Sequence, residues 1–439
     1  MEKQATIPSP APHRRLRVIL IAFTAAMLLL FVVVAVLCTD TAPPEDSDLQ
    51  PVFADVPDDQ NALLLFEEAG DQIDQNIKEA DPEHEGTSWR DMLRYEERWD
   101  DEKVAAALRD NAEAIRLIER ALSCPVPGPL MPGAKDDIHP SFVTVRPFLE
   151  LEGKALCRKG RFAEGYACYM KGVRFGYQLG PTIVMGDAGS LTKLVHVDRM
   201  TKYLPSTSFD EETTASFIRN LDADRFTGEQ FGQALKLFYA RYAGIADLMK
   251  NTESEMGEAI LQTALELQYV PMSPYHCQPN RTKRELADIV RKALKQWPAD
   301  CTALPKRDNP FTGPPISREG ISTTDKIRQF LTRNSFGDAL LQGAGRDLSE
   351  TFWWRQEENM RITALQTLLA LKCHKSETGS LPQSLDELVP AHLPAIRADD
   401  FDGKPLRYSP EKKLLYSVGE DLVDDGGDGR KDIIFKIEF

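Results

Sequence analysis

The densest group of reactive side chains lies near the C-terminus, where Glu420, Asp421, Asp424, Asp425, Asp428 and Asp432 place six acids within thirteen residues. Gly426, Gly427 and Gly429 are interleaved with them, and Gly419 precedes them. Carboxylates and backbone carbonyls on a loop that glycines allow to curl are the donors calcium takes, about six to eight oxygens at a time. Without a cation these like charges repel one another, so the segment reads either as a calcium loop or as a solvated acidic turn partly neutralised by Arg430 and Lys431. It is not an EF-hand, because DxDxDG is absent, nor an RTX repeat, because Gly426 to Asp432 is one residue too long for GGxGxD.

Other chemistries find less to work with. The seven histidines (His13, His84, His139, His196, His276, His374 and His392) form no HExxH and no pair four residues apart, which gives zinc catalysis little basis. GxSxG and GxxxxGK[ST] are missing, Gly186 to Ser190 lacks a strand-turn-helix setting, and Gly343-Ala344-Gly345 is too short to cradle a phosphate. His196, Asp198 and Arg199 are a compact cluster of base, acid and cation, expected to make structural contacts. Glu67, Glu68, Asp71 and Asp74 fall at helical spacing, and in a chain with 68 acids they read as a solvated helix face. The catalytic alternative is an envelope hydrolase whose carboxylates converge in the helical part at glycosidase separation.

The elements around these residues begin with composition. A chain of 439 residues with 42% hydrophobic and 28% charged residues is that of two or three folded units. Its formal charge of -15 argues against a nucleic-acid partner, which needs cations gathered on a face. Residues 1–17 run against that average, with Lys3, Arg14, Arg15 and Arg17 against Glu2. Val18 to Cys38 follows, 21 residues without charge or proline, enough helix to cross about 30 Å of hydrocarbon. Cations before it and Asp40, Glu45, Asp46 and Asp48 after it place the tail in the cytoplasm and the bulk outside, as a single span of a bacterial inner membrane. A cleaved signal peptide is the alternative, with an apolar run longer than the usual 7–15 or so residues. Residues 39–60, acidic and with four prolines, read as a linker.

Residues 61–349 read as a helical outer domain. Asn61 to Ala80 carries Leu64, Leu65, Ala69, Ile73 and Ile77 near one face, and Lys103 to Leu122 carries a second stripe. Five prolines from Pro125 to Pro140 mark a loop. Gly153, Leu156, Gly160, Phe162, Gly165, Tyr169 and Gly172 resemble one tetratricopeptide unit, in which small residues let two antiparallel helices approach. Because no second copy follows, an isolated helical hairpin in an irregular bundle is expected. Further helices are expected at Asp210 to Asp222, Gly228 to Lys250, Ser254 to Leu267, Lys283 to Trp297, Thr324 to Leu341 and Glu350 to Lys375, the fourth opened by a capping box of Thr282 and Glu285. Residues 298–320 form a proline-rich loop, and Phe352, Trp353 and Trp354 should pack in a core. Cys157 with Cys168, and Cys277 with Cys301, are the closest pairs in sequence, open to disulfides or to buried free thiols.

From about residue 377 strand-length apolar runs appear at Leu406 to Tyr408, Leu414 to Val418 and Ile433 to Phe439, which together suggest a small antiparallel sheet. GSLPQSLDELVP (Gly379 to Pro390), DDFDGKPLRY (Asp399 to Tyr408) and LYSVGEDLVDDGG (Leu415 to Gly427) occur in the order and spacing of the C-terminal part of the major pseudopilin of type II secretion systems. Residues 350–439 therefore resemble that family's C-terminal module. Arg17 to Leu37 shows neither the family's prepilin-peptidase site nor its glutamate, so pilus assembly through that helix is not expected. The resemblance implies an α+β module and a bound calcium, with Asp421 matching the family's SxGxD step and Asp424, Asp428 and Asp432 next. The whole layout resembles single-span bacterial envelope proteins. The expected protein is mainly α, membrane-anchored and a binding or scaffold protein with envelope partners, or an accessory of a secretion or pilus machine.

Overall fold

The computed structural model describes residues 12–52, 56–80, 89–124, 140–179, 183–248, 274–296 and 331–439. The expected loop at residues 125–139, the helix Ser254 to Leu267, the loop 298–320 and Cys301 lie outside them. The chain is mostly helical, with one small sheet, and its contacts divide it into two units.

The larger unit comprises Asp46–Arg241, Asp288–Phe311 and Gly345–Phe439. Helix α2 (Ala62–Ala80) buries Leu63, Phe66, Ala69 and Ile73 against α5 (Ala112–Ser123) and α6 (Pro140–Arg158), through Ile118, Val145 and Phe148. Leu65, Ala69 and Ile73 are buried as expected and Ile77 packs beside them, while Leu64 is only half-buried and Leu63 and Phe66 widen the stripe. After the short α3 (Trp89–Arg94), the continuous helix expected from Lys103 to Leu122 is two, α4 (Asp101–Asp110) and α5, parted at Asn111. Asn111 is buried and its side chain donates to the Ala107 carbonyl at 2.8 Å, a local bond that competes with helix continuation.

Helices α6, α7 (Phe162–Leu179) and α8 (Ile183–Tyr203) pack as successive antiparallel neighbours. Small residues set that spacing. Gly153 faces the Tyr169 ring, Gly165 faces Cys157, and a Cβ on Gly172 would run into the His196 ring. Tyr166 and Tyr169 fill the space beside them and are fully buried. Cys157 and Cys168 are buried free thiols, and burial pushes the Cys157 thiol up to about 11.

Helix α9 (Glu211–Ala223) follows, capped by Asp210 on the Thr213 amide at 2.7 Å, and α10 (Gly228–Leu248) comes after it. The long helix α12 (Ser335–Thr378) then leads to the sheet, whose strands β1 (Arg407–Ser409), β2 (Leu414–Ser417) and β3 (Ile433–Lys436) pair antiparallel in order, with Tyr408 opposite Leu415 and Leu415 opposite Phe435. The sheet has no core of its own. Leu406, Leu415, Val418, Phe435 and Ile437 belong to one apolar cluster with Ile362, Leu365 and Leu369 of α12 and Tyr166, Val197 and Leu221 of α7 to α9. Phe352, Trp353 and Trp354 are half-buried; Trp353 packs on that cluster, and Trp354 meets Trp353 edge-on at 4.7 Å.

The smaller unit comprises Met1–Glu45, Tyr242–Ala287 and Thr312–Ala344. Helix α1 (Pro12–Cys38) contains Ile19–Cys38, 20 residues of mean hydropathy 3.1 with none of the apolar window buried, long and apolar enough to cross a membrane, a property a signal sequence shares. Helix α11 (Pro279–Gln296) begins at a proline four residues before the expected start. Thr282 therefore lies inside the helix, its hydroxyl donating to the Gln278 carbonyl at 3.1 Å, and Asp40 caps instead by accepting from the Asn280 and Arg281 amides at 2.9 and 3.1 Å. Fully buried Asn334 ties this end together: its amide donates to the Tyr275 carbonyl at 2.9 Å and its side-chain oxygen accepts from the Gln278 amide at 2.8 Å.

Candidate functional site

The expected metal residues all fall in the connection between β2 and β3. Gly419, Gly426 and Gly427 have φ of 66, 72 and 84°, a conformation that favours glycine and lets the chain fold back on itself. Asp421 accepts from the Val423 amide at 3.0 Å, and Asp424 from the Gly426 amide at 3.0 Å and the Tyr416 hydroxyl at 3.1 Å. Cations take up part of the charge. Arg430 holds Asp428 at 2.7 Å, keeping its carboxyl below the usual range, Lys431 holds Asp425 at 2.8 Å, and Arg407 stands 3.7 Å from Asp424.

Asp432 is the buried member, and its Oδ2 accepts from the amides of Gly427 and Asp428 at 2.8 and 3.2 Å. That brings Asp428 and Asp432 into one turn while Asp421 and Asp424 cap two others. Two buried carboxylate oxygens, Asp425 Oδ2 and Asp432 Oδ1, have no hydrogen-bond partner among the described residues. A buried acceptor left in that state is costly, and a hard cation is the partner its chemistry suits. Asp425 is a residue the resemblance passed over, because in sequence it looks like any other acid of the run. No three of these carboxylates bring one oxygen each within 4.8 Å of one another.

A second concentration of charge was not legible in the sequence, because its members come from distant helices. Lys193 of α8 and Glu358 of α12 are both fully buried, with Nζ 2.6 Å from Oε1. The Ser190 hydroxyl donates to Glu358 at 2.7 Å, Arg355 approaches it at 3.3 Å, and Lys193 also donates to the Asp224 carbonyl at 2.8 Å. The Tyr177 ring centroid lies 5.2 Å from the Lys193 ammonium. Burial works against both charges: it pulls the Lys193 pKa down, while for Glu358 the two cations outweigh it and hold the carboxyl below its ordinary value.

The same contacts fasten the turn Asp224 to Phe226 from several sides. Arg174 holds Asp224 at 2.8 Å, and Arg225 donates to Thr363 at 2.7 Å and stands 3.4 Å from both oxygens of Asp400. The Asn359 side chain accepts from the Phe226 amide at 3.2 Å. Asp400 is fully buried, and that burial pushes its carboxyl up to about 7 against the pull of Arg225.

His196, Asp198 and Arg199 do not converge. Buried His196 takes the Thr192 carbonyl at 2.7 Å through Nδ1, and burial lowers its pKa, so the ring is neutral. Asp198 pairs with Arg361 at 2.9 Å and Arg199 with Glu150 at 2.6 Å. Glu357 is likewise held by Arg361 at 2.7 Å. Glu358, Asp224, Asp198, Glu150 and Glu357 are thus matched to cations rather than to one another, an arrangement that holds charge in place. No family model, no curated protein and no solved structure matches the chain.

Proposed function

We propose that this chain is a single-span protein of a bacterial inner membrane, its N-terminus in the cytoplasm and its folded bulk outside, where it serves as a binding scaffold for other envelope proteins. The observation that carries the anchored reading is how the end of the apolar helix is fastened. Gln278 donates to the Leu37 carbonyl at 2.8 Å, Arg333 to the Thr39 carbonyl at 2.8 Å, and Asp40 caps α11. Removal of the apolar run would break the first of these bonds and put a charged amino terminus beside the others, whereas a permanent anchor keeps them all. The cations of residues 1–17 and the acids from Asp40 onward support the orientation.

The scaffold reading is supported by the cation-matched carboxylates and by the close α6/α7 hairpin, whose Gly153 and Gly165 contacts are those a tetratricopeptide-like unit uses. The capping box of Ser384 and Glu387 within the segment Gly379 to Pro390, followed by three antiparallel strands, supports a pseudopilin-like C-terminal module. Calcium would be held by Asp425 and Asp432, with Asp421, Asp424 and Asp428 beside them, and would stiffen the turn between β2 and β3.

The test is to recover the protein from bacterial membranes after an alkaline wash and to measure its intact mass, then to crosslink it in whole cells. A mass that includes residues 1–38, retention in the washed membrane and crosslinks to other envelope proteins are expected. A mature chain that begins after Cys38 would overturn the anchored reading, and an absence of crosslinks would overturn the scaffold reading.

A further inference from the structure

The end of α12 carries an arrangement of a different kind. Cys373 and Glu377 lie four residues apart and so share one helix face, and His392 is brought to them by the turn after the short helix Leu385–Leu388, its own amide donating to the Leu388 carbonyl at 2.9 Å. One ligand atom from each of the three lies within 4.8 Å of the others, the one such group of histidine, cysteine and acid among the described residues.

Two of the separations, each to one oxygen of Glu377, fall in the range of ligands around a small ion. Cys373 Sγ is 3.4 Å from Glu377 Oε1, and His392 Nε2 is 3.6 Å from Glu377 Oε2. Tetrahedral zinc, with bonds of about 2.3 Å to sulfur and about 2.0–2.2 Å to nitrogen and oxygen, spaces its ligands roughly 3.3–3.6 Å apart. The second observation is the imidazole itself. The His392 side chain is only 6% exposed, its Nδ1 has no hydrogen-bond partner among the described residues, and 3.6 Å from Nε2 to the carboxylate is beyond hydrogen-bond distance. With neither nitrogen hydrogen-bonded, the ring keeps a lone pair free for a metal ion between the three groups.

We propose that Cys373, Glu377 and His392 bind a zinc-class transition-metal ion. A thiolate with an imidazole selects a borderline-soft metal over calcium or magnesium, which separates this site from the acidic turn. Glu377 is half exposed, so water completes the coordination on its side. Binding displaces the Cys373 thiol proton to solvent as the sulfur–metal bond forms. The His374 ring packs edge-on to His392 at 5.7 Å and fixes its orientation. The ion would clamp the last turns of α12 to the segment that leads into the sheet.

The experiment uses the full chain without an affinity tag, in detergent and stripped of metal by chelation. Zinc is titrated by calorimetry beside calcium and magnesium, and cobalt is titrated by absorbance. One equivalent of zinc, a sulfur-to-cobalt charge-transfer band, and at least a tenfold loss of zinc affinity in Cys373→Ser and in His392→Gln are expected. Zinc uptake unchanged in Cys373→Ser, or a wild-type protein that binds cobalt without the charge-transfer band, would overturn the proposal. The cobalt spectrum of the wild type decides the matter even where a variant fails to fold.

Discussion

Glu358 is the position where a single substitution should reveal most about how the helical unit is held together. Its carboxylate serves Lys193 at 2.6 Å, Arg355 at 3.3 Å and the Ser190 hydroxyl at 2.7 Å, all buried. Glu358→Gln keeps the shape and removes the charge, taking an anion from two buried cations at once. Losing one partner of a buried pair costs about 3–5 kcal/mol, and serving two cations puts this change at the upper end. Lys193→Met should cost less, about 3 kcal/mol, because Glu358 keeps Arg355 and Ser190. The double variant should cost no more than the larger single change, a coupling of about 3 kcal/mol between the two positions. Thermal unfolding of the full chain in detergent, followed by circular dichroism at pH 7.5, reads these costs as shifts of about 2 °C per kcal/mol for a unit of this size. Additive costs, or a Glu358→Gln penalty below about 1 kcal/mol, would refute the reasoning.

Two further predictions rest on carboxyls. With its folded value at about 7 and an unfolded value near 3.9, Asp400 contributes stability that is full below about pH 4 and lost as pH rises through 7, about 4 kcal/mol in all. Asp400→Asn should abolish that dependence, so the wild-type and variant unfolding free energies should draw apart between pH 4 and 8, and parallel curves would refute the assignment. At the acidic turn, calcium should raise the midpoint of thermal unfolding of the full chain by several degrees over chelator, and Asp425→Asn with Asp432→Asn should erase the rise; an equal shift in that variant would exclude these two oxygens as ligands.

What the sequence made legible is what local pattern decides. The stripe of α2, the strand-length runs at Leu414 and Ile433 and the apolar run after Arg17 are properties of neighbouring residues, and the elements stand close to where they were expected. The misses come from bonds that override pattern. Asn111 parts α4 from α5 through its own side chain, and Asp40 displaces Thr282 as the cap of α11 although they are far apart in sequence. Lys193 with Glu358, and Cys373 with His392, were not visible because each pair meets only after the helices have packed. Spacing rules such as HExxH find ligands on one helix and pass over a histidine delivered by a later turn.

The apolar cluster that joins the sheet to α7, α8 and α9 has a consequence for how the chain is made. Tyr166 and Leu415 share that cluster, yet at about 5–20 residues per second the ribosome delivers the second roughly 12–50 s after the first. Until then the faces of α7 and α9 carrying Tyr166, Val173, Phe217 and Leu221 lack part of the surface that covers them in the finished protein. A holding factor that shields these faces during that interval should therefore raise the yield of folded protein without altering its final stability.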